Sequence, residues 1–493
     1  MAALRYPSLY EVNTRCHLHE ISKRLGRPAL LDDISDAELE GWRKMGFDWI
    51  WLLGVWKTGA GGREISRSNP EWRREFQQVL PDLSETDIAG SCLAVAAYAV
   101  DEAFGGDEAL KRLRERMTAR GLRLMLDFVP NHTALDHPWV QAHPEYYIQG
   151  TEEDLSAAPD NHVRLVSGGE TRIFAHGRDP DFPGWPDTLQ LDYGNPAVHK
   201  AMFEELLSVA RRCDGVRCDM AMLILPDVFE GTWGVRSAPF WPEAIQAIRQ
   251  ELPDFIFVAE VYWDREWTLQ QEGFDFCYDK KLYDRLAEGL ARPVHDHLLA
   301  DVSYQDRMAR FLENHDEVRA ATRFSPEMHR AAAVITYLAP GLRFFHQGQL
   351  EGASVKVPVH LGRRPEEPVN AEIQVFYNRL LRCLRDPVFR EGNWQLLECV
   401  PAWEGNWTWE NFIAAWWMSP LGGHRLVVVN YSPHQSQCYV RLPHPELPGR
   451  LWRLEDVMGR EVYDRESDRL LSTGLYLDMQ AWAYHVLDIN VLL

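Results

Sequence analysis

Short, nearly continuous apolar runs alternate along the chain with longer amphipathic stretches. SLYEVNTR (8–15) reads as a first strand, and DISDAELEGWRKMG (33–46) as a helix capped by Asp33 or Ser35. FDWIWLLGVW (47–56) is apolar at almost every position, the pattern of a strand covered on both faces. GDEALKRLRERMTARG (106–121) places apolar residues at helical spacing and ends on glycine. LRLMLDFVPNH (122–132) is a third strand. The alternation resumes with a helix over 195–213, a strand at DGVRCD (214–219), a helix near 241–252 and a strand at DFIFVAEVYW (254–263). FDFCYD (274–279), MARFLENHDE (308–317) and GLRFFHQGQ (341–349) follow as strands. Eight strands with helices between them predict an α/β fold, a (β/α)8 barrel with a parallel sheet.

Two segments break this rhythm. Residues 133–194 are rich in Pro, Gly, Asp and Trp, show little periodicity, and are too long for a plain loop within a barrel. They read as a subdomain inserted after strand three. Beyond about residue 390 the pattern changes to period-two alternation, at 407–418, 424–432, 437–443 and 474–489. This predicts a C-terminal antiparallel β-sandwich. The organisation expected is therefore a barrel of residues 1–132 and 195–390, an insertion of 133–194, and a sandwich of 391–493.

Polar residues cluster at the ends of the predicted strands. Strand three ends with Asp127, Asn131 and His132, strand four with Arg217 and Asp219, strand five with Glu260, and strand seven with His315 and Asp316. Arg217 and Asp219 are two positions apart, so on a strand they point the same way. Functional groups of such barrels gather at the C-terminal ends of the strands, and coincidence does not account for this set. The chemistry it suits is retaining cleavage of a glycoside, which needs a nucleophilic carboxylate and a protonated carboxylic acid across the scissile bond. Asp219 is the candidate nucleophile, kept ionised and aimed by Arg217. Glu260, approached through the apolar and aromatic VAEVYW, is the candidate acid/base, since desolvation raises a carboxyl pKa. Asp316 is the third carboxylate, and the histidines donate to sugar hydroxyls.

Composition narrows the partners. A formal net charge of −21 argues against nucleic acid and against anionic membrane surfaces. No run reaches the roughly 18 apolar residues of a membrane span, and the stretch MAALRYPSLYEVNT has no apolar core of a secretory leader. The eight cysteines are scattered without metal-ligand spacing, which predicts reduced, buried thiols in a cytoplasm. The nineteen tryptophans suit both core packing and stacking on sugar faces.

These segments resemble glycoside hydrolase family thirteen, the α-amylase family. DFVPNH (127–132), GVRCD (215–219), VAEV (258–261) and ENHD (313–316) resemble its four signatures in order, and GLRFFHQGQLEG (341–352) its strand-eight segment. WPDTLQLDYGNP (185–196) resembles the return from its inserted domain B. The resemblance implies Asp219 as nucleophile, Glu260 as acid/base and Asp316 as transition-state stabiliser. It places Arg217, His132 and His315 at the sugar ring being cleaved, with Asp127 supporting that site as part of the substrate-binding set. Asn131 matches a calcium ligand of many α-amylases, so calcium is an option the resemblance raises, though the chemistry requires no cofactor. Two departures stand out. MAMLI (220–224) follows Asp219 where many members carry a Lys-His pair on the leaving-group side. In SCLAVAAY (91–98), Tyr98 is kept as a candidate substrate contact while Ala97 replaces an acid. The expected substrate is an α-linked disaccharide or oligosaccharide. Hydrolysis stands beside transglycosylation or disaccharide isomerisation of a trehalose-synthase-like kind, and beside a non-catalytic carbohydrate-binding barrel.

Overall fold

The computed structural model describes residues 4–420, 422–443 and 450–492; the first three residues of the stretch read for a leader lie outside it. Eight parallel strands close into a barrel. They are Ser8–Asn13 (β1), Trp49–Leu53 (β2), Arg123–Phe128 (β3), Gly215–Cys218 (β4), Ile256–Ala259 (β5), Phe276–Tyr278 (β6), Met308–Arg310 (β7) and Leu342–His346 (β8). Around the barrel each strand pairs with its sequence neighbours, and β8 closes on β1. All eight expected strands are present, and each is shorter than the apolar run that announced it. In LRLMLDFVPNH the ladder stops at Phe128, just before Pro130, which has no N–H to donate.

One helix was absorbed into a strand reading. Residues 14 and 15 begin α1 (Thr14–Leu25), whose N-terminus is capped by Asn13 accepting from Cys16 N–H at 3.1 Å. Gly26 ends it in the left-handed conformation at φ 67°. An asparagine and a glycine twelve residues of helix apart are a legible start and stop. The predicted helix at 33–46 is α2 (Asp36–Met45), with Ser35 as its cap. A further helix, α3 (Ala60–Ser68), lies in the long connection after β2.

Between β3 and the helix Pro196–Ala210, the chain forms a short antiparallel pair, His132–Ala134 with Thr188–Gln190. It also forms a hairpin of His162–Ser167 with Glu170–Ala175. This segment springs from the C-terminal end of β3, beside the predicted catalytic residues.

The C-terminal part is a six-stranded antiparallel sheet facing a three-stranded one. Trp416, Val428, Leu454 and Leu487 of the first share a core with Cys438 and Leu477 of the second. The alternating run 474–489 covers two strands: Leu475–Met479 in the small sheet and Tyr484–Leu492 in the large. The chain turns between them at Trp482, in the left-handed region at φ 56°. The strands Leu451–Asp456 and Val462–Glu466 were not expected, because LWRLED and VYDRE carry too many charges to read as buried strands. The sandwich is locked to the barrel by Trp417, whose indole donates to the Leu338 carbonyl at 2.8 Å.

Candidate active site

Strand β4 ends at Cys218, and the next residue, Asp219, is tethered by its own N–H to the Phe128 carbonyl of β3 at 2.8 Å. Arg217 is fully buried in the barrel. Its guanidinium reaches further than the sequence suggested. One nitrogen donates to Asp219 Oδ1 at 2.5 Å. The other lies 2.7 Å from Glu260 Oε2 and 3.9 Å from Asp316 Oδ2. Nε donates to the Tyr278 hydroxyl of β6 at 3.2 Å. One planar cation therefore organises three acids from three strand ends, a task for which the rigid fork of arginine is suited.

Glu260 is 4% exposed and has both oxygens engaged. Oε2 faces Arg217 and accepts from the Met220 N–H at 2.7 Å, and Oε1 accepts from the Tyr262 hydroxyl at 2.9 Å. Met220 presents that N–H because it adopts φ 41°, ψ 48°, a conformation few non-glycine residues hold without a compensating gain. Burial pushes the Glu260 carboxyl up to about 7, the nearby anions Asp219 and Asp316 add to the rise, and Arg217 pulls against it. The direction is the one that desolvation in VAEVYW leads one to expect.

Asp316 is the most open of the three, with 43% of its side chain exposed. Partial desolvation opposes its charge, but His315, Arg217 and Lys356 overcome that and hold its carboxyl well below the usual range; solvent screens part of this pull. His315 is buried between two carboxylates. Nδ1 lies 2.5 Å from Glu11 Oε1, and Nε2 lies 3.0 Å from Asp316 Oδ2. Burial alone would lower its pKa, but the two anions raise it well above the ordinary imidazole value, so it sits there as a cation. His132, in the short strand after β3, is 5% exposed with Nδ1 buried and unpartnered. Burial lowers its pKa while Asp219 opposes the fall, and its ring lies 5.1 Å from that of Trp185 in the inserted segment.

Three other predicted residues serve the site indirectly. Asp127 is 1% exposed. It accepts from the Trp51 indole at 3.0 Å and from Gly54 N–H at 2.7 Å, so both carboxylate oxygens are engaged by the protein. It pins the end of β2, and burial raises it to about 6. Gly54 is required there: at φ 77°, a Cβ would lie 2.5 Å from that of Cys92. The Tyr98 hydroxyl donates to the Val129 carbonyl at 3.1 Å and accepts from Val129 N–H at 2.8 Å. Only its ring, stacked on Phe128 at 5.6 Å, is left to meet a ligand. Asn131 is tied to the returning strand of the inserted segment. Its amide forms a reciprocal pair with Gln190, donating at 3.1 Å and accepting at 3.0 Å. Among the described residues, the one group of three His, Cys, Asp or Glu side chains close enough to share an ion is Asp456, Glu461 and His485, in the C-terminal sheet.

Glu11, Tyr262 and Tyr278 were missed. Glu11 had a readable signal: an acid inside the apolar SLYEVN at the same end of its strand as the others. Met222 and Leu223, within the MAMLI stretch that stands where many members carry a Lys-His pair, are buried at 0% and 3% in the turn after Asp219.

A family model for the alpha-amylase catalytic domain matches residues 94–395, more than half of the chain. The chain is 24% identical over 299 residues to alpha-amylase 3 of Dictyoglomus thermophilum, covering 54% of this chain and 55% of that one. It is 23% identical over 324 residues to the intracellular maltogenic amylase of Bacillus subtilis, covering 61% and 51%. The matches thus span about half the length of these curated relatives. The crystal structure of the maltogenic alpha-amylase AmyB from Thermotoga neapolitana aligns over 99% of both chains, with a TM-score of 0.71 at 19% identity.

Proposed function

The chain belongs to the alpha-amylase family, and from that premise we propose that it is a retaining α-glycosidase acting on short α-glucosides or maltooligosaccharides. The observation that carries this reading is the Arg217 fork, which gathers Asp219, Glu260 and Asp316 at one point of the barrel mouth. Asp219 and Glu260 both bear on one guanidinium, at 2.5 and 2.7 Å, which supports the closely spaced carboxylate pair that a retaining mechanism uses.

Asp219 attacks the anomeric carbon, and the bond to the leaving oxygen breaks as Glu260 protonates it. The proton belongs on Oε1, because Oε2 already faces two donors, Arg217 and the Met220 N–H. Glu260, now ionised, takes a proton from water, which displaces Asp219 from the covalent intermediate. Asp316, charged by the pull of His315, stabilises positive charge on the ring carbon. His132 offers a buried nitrogen to a hydroxyl of the same sugar. The apolar turn Ala221–Ile224 puts no polar side chain on the acceptor side, which supports water over a second sugar as acceptor. The absence of polar grip there also supports short substrates. The eight free cysteines, seven of them buried, support a reducing compartment, and no described helix is long and apolar enough to cross a membrane.

The test is incubation with maltose, maltotriose, sucrose, trehalose and starch, with product chromatography. Free glucose or short maltooligosaccharides from the first two, abolished in Asp219→Asn with the fold intact, are expected. New disaccharides without matching glucose would replace hydrolysis by transglycosylation or isomerisation.

A further inference from the structure

Beside α1 and α3 lies a cavity of about 330 Å³, within the range of small-molecule sites. No member of the catalytic set lines it. Two helices supply its polar wall, each with a pair of residues one turn apart. Arg15 and His19 lie at i and i+4 on α1, and Arg63 and Arg67 at i and i+4 on α3. Such spacing puts both members of each pair on one helix face, and the two guanidiniums of α3 so placed repel. The fold nevertheless turns both pairs into the same cavity.

The chain neutralises this cluster only in part. Arg15 donates to the Thr58 hydroxyl at 3.0 Å and to the Gly90 carbonyl, both neutral. Neither Arg15 nor Arg63 forms an ion pair among the described residues. Arg67 is shared at the rim with Glu64 at 3.5 Å and Glu85 at 3.9 Å, yet its Nε is buried without a hydrogen-bond partner. His19 Nε2 is likewise buried and unpartnered. The one acid in the lining, Asp101, already caps the Ala103 N–H at 2.9 Å. On a chain of net charge −21, two guanidiniums without an ion pair, Arg15 and Arg63, in one cavity lining are a local departure from the prevailing sign. Gly90 lets its loop pack closely on α3: at φ 84°, a Cβ would sit 3.0 Å from the Arg63 backbone.

We propose that this cavity is a binding site for a phosphate dianion, either free inorganic phosphate or the phosphoryl group of a small sugar phosphate. Guanidiniums bind phosphate bidentately through parallel N–H donors; Arg67 Nε is a buried donor without a hydrogen bond, and His19 Nε2, also unpartnered, donates in the tautomer that carries its proton there. The Thr58 hydroxyl stands beside them. The site is separate from the glycosidase centre, so it does not depend on the reading of that centre.

The test is calorimetric titration of the full chain at low ionic strength with inorganic phosphate, and separately with glucose 6-phosphate, against sodium chloride of matched ionic strength. Arg63→Gln and Arg67→Gln are the variants, with unchanged glycosidase activity as evidence that each is folded. Phosphate is expected to bind where chloride does not, and each variant to weaken binding about tenfold or more, the loss of one charge-assisted hydrogen bond. Tighter binding of glucose 6-phosphate than of inorganic phosphate would identify a sugar phosphate as the occupant; equal or weaker binding would identify the free anion. A phosphate signal no larger than that of chloride, or one undiminished in both variants, would overturn the assignment.

Discussion

Glu11 is fully buried, 304 positions from the histidine it holds, and its replacement by glutamine tests the electrostatics of the site. Glu11→Gln keeps the shape and removes one charge. Burial lowers the His315 pKa, and the two flanking anions overcome that fall. With one of them gone, the imidazole should lose its proton near neutral pH. A neutral ring donating from Nδ1 to the new amide turns a bare lone pair at Nε2 toward Asp316 Oδ2, now 3.0 Å away. Asp316 must then turn aside or take up a proton. A charge-assisted hydrogen bond contributes roughly 1.5–3 kcal/mol net, so kcat/KM should fall about 10- to 150-fold. The fall should shrink as pH is lowered through the new His315 pKa, because the imidazolium is then restored. The assay is the pH profile of kcat/KM on maltotriose for both proteins, with the His315 proton titration followed by NMR. A loss under about threefold, or a His315 titration that does not move, would refute the argument that Glu11 keeps this histidine charged.

Because the Glu260 carboxyl stands at about 7 and must be protonated to act, kcat/KM on natural glycosides should decline as pH rises through about 7. Glycosylation by an activated aryl α-glucoside, whose leaving group needs no proton, should lack that limb. Glu260→Gln should cost orders of magnitude more on maltotriose than on the aryl substrate; equal losses would remove Glu260 from the acid role. Tyr262→Phe deletes a donor to ionised Glu260, so the alkaline limb should shift upward; an unmoved limb would mean that Tyr262 does not influence Glu260. Since the Asn131 amide is closed by Gln190, dialysis against EDTA should leave Tm and activity unchanged, as read by calorimetry and rate; a clear drop in either would point to a bound cation.

Local pattern was enough to read the barrel and its three acids. An apolar run of strand length with an acid at its C-terminal end marks both a buried strand and a residue at the barrel mouth, and VRCD, FVAE and ENHD each have that form. The apolar VAEV run pointed to the burial that raises the Glu260 carboxyl, whereas the anions and the cation around it come from other strands. Where an element's character depended on caps rather than periodicity, as in α1, the reading slipped. Only the tertiary structure decided which partner each charge found. The Arg217 fork spans strands β4, β5 and the end of β7, the Glu11–His315 contact forms where the barrel closes, and Arg15 with His19 meets Arg63 with Arg67 across a cavity between helices. The physical reason is that periodicity sets which face of a strand or helix a side chain occupies, whereas strand stagger and barrel closure set what lies opposite that face.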